Sequence, residues 1–100
     1  MSRGADYSKL WEELERRLTD LVTRLDGFVS PEAVRWVREF VDHNEFGIAW
    51  EAIADDLIAE RRPISGEDYA ELSELADLMT MSDADAASRL EALRLLRQVE

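Results

Sequence analysis

The sequence predicts an all-α fold, a single compact bundle of four to five amphipathic helices over residues 1–100, on three observations. Glycine and proline are scarce, four and two respectively. Apolar residues recur at the three- and four-residue spacing of helices, and strand-like alternation is absent. The punctuation that does occur has the chemistry of helix ends, at Asp26-Gly27, Ser30-Pro31, Pro63 and Ser65. A chain of 100 residues with 46% hydrophobic residues can bury one core without disulfides, and it contains no cysteine.

The first helix is predicted over about 7–25. Tyr7, Leu10, Trp11, Leu14, Leu18, Leu21, Val22 and Leu25 form one apolar stripe. Acids precede bases by one turn at Glu12/Arg16, Glu13/Arg17 and Asp20/Arg24, and each such pair supports a helix by about 0.2–0.5 kcal/mol. Gly27 supplies a left-handed stop. The second helix, 31–42, opens on Ser30 as N-cap with Pro31 at the first helical position. Val29 and Val34 have the spacing of a hydrophobic staple. Val34, Val37, Phe40 and Val41 face inward.

The third helix, about 46–61, carries Phe46, Ala49, Trp50, Ile53 and Leu57 on one face, with Ile48 and Ile58 nearly opposite. A helix apolar on more than one side is expected at the centre of a bundle. The fourth, 66–80, is capped by Ser65 with Asp68 at the capping-box position and an Ile64–Tyr69 staple. Tyr69, Leu72, Leu75, Ala76 and Met79 point inward. The fifth, 83–98, begins at Ser82, with Asp83 and Asp85 in its first turn. Leu90, Leu93 and Leu96 supply its apolar side, with Leu95 beside them. Arg94 and Arg97 suit its C-terminal dipole. The short connections predict neighbours packed up-and-down.

Charge is distributed unevenly. Of the net −11, the stretch Glu39 to Asp85 alone carries −12, from 14 acids against Arg61 and Arg62. Residues 1–38 balance to zero. Such an imbalance repels itself in a compact state and favours attraction to cationic surfaces. Glu67, Glu71 and Glu74 fall on one line down the fourth helix, flanked by Asp68 and Asp77, and Glu51 and Asp55 repeat the acidic i,i+4 pairing on the third. No base lies between Glu67 and Asp85. The expectation is an unpaired acidic face that docks a basic protein, with Glu51, Asp55, Glu67, Glu71 and Glu74 as contacts. Charge of this kind sets association rate and specificity, and affinity needs anchors within it. Trp36, at the edge of the second helix's apolar face, is the tryptophan expected to be exposed as an anchor. Trp11 and Trp50 are expected in the core.

The composition argues against other classes. A net charge of −11 disfavours direct nucleic-acid binding, which wants lysine and arginine. No apolar run approaches the ~20 residues of a membrane span, and Met1–Lys9 is too polar for a signal peptide, so a cytoplasmic location is expected. Asp42-His43-x-Glu45 holds metal-ligand residue types, but one histidine without cysteine is a poor zinc set. No metal or other cofactor is expected. The structural reading has Asp42 or Asn44 capping the third helix, His43 bonding a turn carbonyl or touching the partner, and Gly47 allowing close helix packing. Met79 and Met81 read as gap-fillers.

The stretch Phe40-Val41-Asp42-His43-Asn44-Glu45-Phe46-Gly47-Ile48-Ala49-Trp50-Glu51 resembles the helix-turn-helix segment of MafI-type immunity proteins, with its "(I/V)DHxE(F/Y)GxA" run. Pro63-Ile64, then Tyr69, Leu72 and Leu75, then Met79 and Met81 continue the likeness, which spans about residues 36 to 81. The resemblance implies a small bacterial cytoplasmic antitoxin encoded beside a secreted polymorphic or contact-dependent toxin. It would bind that toxin's C-terminal domain, in many cases a ribonuclease, by stoichiometric occlusion and without catalysis. It transfers no contact residues. An adaptor or anti-repressor mimicking nucleic acid toward a regulator predicts the same acidic surface.

A Mg-dependent nucleotide pyrophosphohydrolase resembling MazG would use Glu12, Glu15, Glu39 and Asp42, whose spacing matches loosely but whose projection is outward. Catalytic ligands of that kind project inward. A monomer or weak dimer is expected, with Ile48, Ile58 and Leu78 as the candidate dimer patch.

Overall fold

The computed structural model describes residues 3–81 and 83–97, with side chains described from Ser8 onward. Five helices follow one another: α1 (Arg3–Arg24), α2 (Pro31–Asp42), α3 (Phe46–Ala59), α4 (Gly66–Leu78) and α5 (Ala84–Leu96). The all-α bundle expected from the spacing is the observed architecture. Helix α3 is the hub and packs against each of the other four, which explains its apolar residues on several sides.

Trp50 sits at the centre of this hub, fully buried. Its indole Nε1 donates to the Leu72 carbonyl at 2.9 Å, tying α3 to α4. That bond removes the roughly 1–3 kcal/mol cost of an unpaired buried donor. Leu14, Leu18, Leu21 and Val22 from α1, Val37 and Val41 from α2, and Leu72, Leu75 and Leu93 from α4 and α5 complete the core.

Trp11 departs from expectation. It lies on the α1 stripe yet is 48% exposed. The 22 residues of α1 extend about 33 Å, against about 20 Å for helices of 12–14 residues. Trp11 therefore lies near the end of the shorter helices, over a groove with Leu10, Met79 and Met81, rather than inside them. Met79 and Met81 are partly buried against the core. Tyr7 falls outside the described side chains, and Ser82 and Gln98 outside the described residues.

The helix starts follow the serines. Ser30 Oγ accepts from Ala33 N at 3.2 Å, and Ser65 Oγ accepts from Asp68 N at 3.0 Å. Helix α5 is capped by Asp83, whose carboxylate accepts from Ala86 N, where Ser82 was expected. Helix α2 ends at Asp42 as expected, whereas α3 and α4 stop two residues short of the expected 61 and 80. Helices α2, α3 and α4 all stop on one left-handed residue that is not glycine: Asn44, Arg61 and Thr80, at φ 59°, 52° and 52°.

Each of these ends makes the same pair of bonds. After α2, Asn44 N donates to Val41 O and Glu45 N to Phe40 O. Arg61 and Arg62 repeat the pattern onto Ile58 and Leu57, and Thr80 and Met81 onto Asp77 and Ala76. Asn44 thus closes α2 and does not cap α3. The N-cap of α3 is Glu45, which makes no side-chain cap bond, so Asp42 does not cap it either. A Cβ on Gly47 would meet nothing within 4 Å, so close packing does not require glycine there.

Two apolar expectations also change. Leu95 is exposed and points away from the core. Ile58 and Leu78 pack against the core, leaving Ile48 exposed without them, so the three do not form one surface patch. The Ile64 amide donates to Leu96 O at 3.1 Å, pinning the α3–α4 connection to the end of α5. No described helix is long and apolar enough to cross a membrane.

Candidate protein-docking surface

The expected acidic face divides into two surfaces with different electrostatics. On the first, between α1 and α4, the carboxylates are paired. Arg17 of α1 bonds Glu71 through Nε and Nη2 at 2.9 and 2.6 Å, and shares Nη2 with Glu74 at 2.5 Å. Glu13 adds a longer contact to the same guanidinium at 3.5 Å. The Arg17 side chain is only 13% exposed. Its hydrogen bonds to Glu71 and then Glu74 push its pKa further up, and the same bond to Arg17 holds the Glu71 carboxyl below its ordinary value.

Two turns further along α1, Arg24 bonds Asp68 at 3.0 Å. Local pairing within α1 changes accordingly. Arg16 meets Glu13 and Asp20, while Glu12/Arg16 and Asp20/Arg24 are not formed. The expectation of an unpaired α4 face is therefore corrected. Arginines 44 or more positions away in sequence neutralise it, and spacing within α4 carries no sign of them. Glu67 stays exposed beside Arg17 and Arg24 with no ion pair among the described residues.

The second surface lies between α2 and α3. Trp36 is 49% exposed and stacks on Phe40, ring centroids 6.0 Å apart at an interplanar angle of 24°. With Ala33 and Ala52 they floor an open groove of about 520 Å³. Its rim is acidic. Asp56 accepts from Ser30 N and Ser30 Oγ at 3.1 and 2.9 Å, which fixes its carboxylate without neutralising it. Glu32 makes no ion pair among the described residues. Asp55 is held bidentate by Arg89 of α5, at 2.8 and 3.2 Å, and that bond raises the Arg89 pKa. Glu51, one turn before Asp55, adds to the negative field on Arg89.

The structure thus brings Trp36 and Asp55 to one groove and places Glu67, Glu71 and Glu74 on another face. His43 is fully exposed at the α2–α3 turn. Its Nδ1 meets the Glu39 carbonyl in the last turn of α2 at 2.9 Å, where a carbonyl of the turn itself was expected. That bond, followed by the negative field of Glu39, Glu45 and Asp42, raises its pKa. Phe40, expected inward, packs partly buried against the core and also completes the aromatic pair. Its spacing from Trp36, one helical turn, was the signal available in the sequence.

Among the described residues no three His, Cys, Asp or Glu side chains converge as a metal site. Glu12, Glu15, Glu39 and Asp42 all lie on the exposed surface. No protein-family profile, curated protein or solved structure matches this chain.

Proposed function

We propose that this chain is a stoichiometric neutraliser of a basic protein domain, in the manner of an immunity protein that occludes a cognate toxin. The observation that carries the reading is the Trp36–Phe40 groove. A large aromatic side chain stands half-exposed over an apolar floor and is ringed by carboxylates. Binding hot spots have this composition, an aromatic anchor that loses water on association within a polar surround. The net charge of −11 supplies long-range attraction to a cationic surface. A nuclease domain presents such a surface because it must hold phosphates. The likeness of residues 36 to 81 to MafI-type immunity proteins supports the same reading, and the groove lies partly within that stretch.

Inhibition is by stoichiometric occlusion of the partner, and this chain transforms nothing. Co-purification with the basic toxin domain encoded beside it tests the proposal. A one-to-one complex is expected, with toxin activity falling linearly to zero at equimolar ratio and association slowing as salt rises. Absence of a complex at both low and moderate salt contradicts it.

A further inference from the structure

We propose that the α2–α3 groove takes a basic amphipathic helix of the partner, laid along the two helices as a sixth helix of the bundle. This rests on the neutralisation reading and names what fills its site.

The floor of the groove has helical register. Ala33, Trp36 and Phe40 lie at i, i+3 and i+7 of α2, and Ala52 faces them from α3. Seven residues of helix span about 10 Å, two turns, so the aromatic ridge runs parallel to the helix axes and matches the repeat of another helix. Small side chains at Ala33 and Ala52 leave the space into which apolar knobs fit. Exposed Ile48 continues the apolar line one turn before Ala52. No described segment of the chain covers this face.

Charge selects the occupant. Glu32 and Glu39 flank Trp36 on α2, and Asp56 and Glu60 follow one another along α3. None of these four meets a cation among the described residues, whereas Asp55 on the same rim is held by Arg89. A second copy of this chain would bring its own −11 to the surface. A helix with leucine- or phenylalanine-like knobs bordered by arginine or lysine satisfies both floor and rim, which is the helix-in-groove mode of recognition.

The test uses the whole protein and a synthetic helical peptide of about 14 residues, with leucines at i, i+3, i+4 and i+7 and arginines elsewhere. A permuted peptide of equal composition serves as control. The amphipathic peptide is expected to bind with a gain of helical circular dichroism. Trp36→Ala should weaken it about 30-fold, and Glu32→Arg, on the exposed rim, several-fold. Equal binding of both peptides, or binding indifferent to Trp36→Ala and Glu32→Arg, overturns the inference. Failure of the peptide beside a Trp36-dependent complex with an intact toxin domain overturns helical docking and leaves neutralisation standing. Trp36-dependent peptide docking without inhibition of the toxin supports the groove's occupant and removes the neutralisation reading.

Discussion

The α1–α4 face and the α2–α3 groove are both acidic, and they differ in what their charges are already doing. On the first, Glu71 and Glu74 converge on Arg17, and Asp68 on Arg24. Those carboxylates hold two helices together, and a partner would have to compete with arginines that are already in place. On the second, Asp56 is fixed by neutral donors and Glu32 by nothing described, beside aromatic rings that water still reaches. Net charge along the chain ranks α4 first. Pairing in three dimensions reverses the order, and places the surface with unused charge and unused apolar area on α2 and α3.

The sharpest way to break this contrast is to remove the aromatic anchor. Trp36→Ala should lower affinity for a basic partner by at least about 2 kcal/mol, read by titration calorimetry. Stability should fall by no more than about 1–2 kcal/mol, because only part of the ring is buried. Glu74→Gln, on the other face, should leave affinity nearly unchanged. Equal losses from the two substitutions would abolish the distinction.

Next in size is Arg17→Met. It leaves half-buried Glu71 without its partner and should destabilise by about 1–3 kcal/mol in a denaturant melt. Glu74 is mostly exposed, so Glu74→Gln should cost under about 1 kcal/mol. A smaller effect follows from pH. Folding depresses the Glu71 pKa, so its contribution is fully present above the ordinary carboxylate value of about 4.3 and is lost as pH falls through the lower folded value. Glu71→Gln should flatten the acid limb of stability against pH.

The smallest signal is the titration of His43, whose pKa is raised first by its bond to the Glu39 carbonyl and then by the acids around the turn. An NMR titration should place it above about 6.5 and bring it part of the way back in high salt. Its stabilising contribution is present below the ordinary value and fades as pH rises through the folded one. A His43 pKa at or below the ordinary value would mean that the α2–α3 side lacks the negative field argued for it.

Much of the fold could be read along the chain because helix periodicity, serine caps and the Trp50 stripe are local. What escaped was non-local or went against residue preference. The Arg17–Glu71 pair joins positions 54 residues apart. Trp11 shares the α1 stripe, yet its exposure depends on how far α1 outreaches its neighbours. Asn44, Arg61 and Thr80 end helices in a conformation usually announced by glycine. Of the expected contact residues, the exposure of Trp36 was legible from its edge position. The neutralisation of Glu71, Glu74 and Asp55 was not, since each depends on an arginine delivered by another helix.

The most direct test of the central claim is an amide and indole NMR titration of the labelled protein with the basic amphipathic peptide. Shifts are expected at Ala33, the Trp36 indole, Phe40 and Ala52. Shifts concentrated on α4 between Glu67 and Asp77, with the Trp36 indole unmoved, would contradict it.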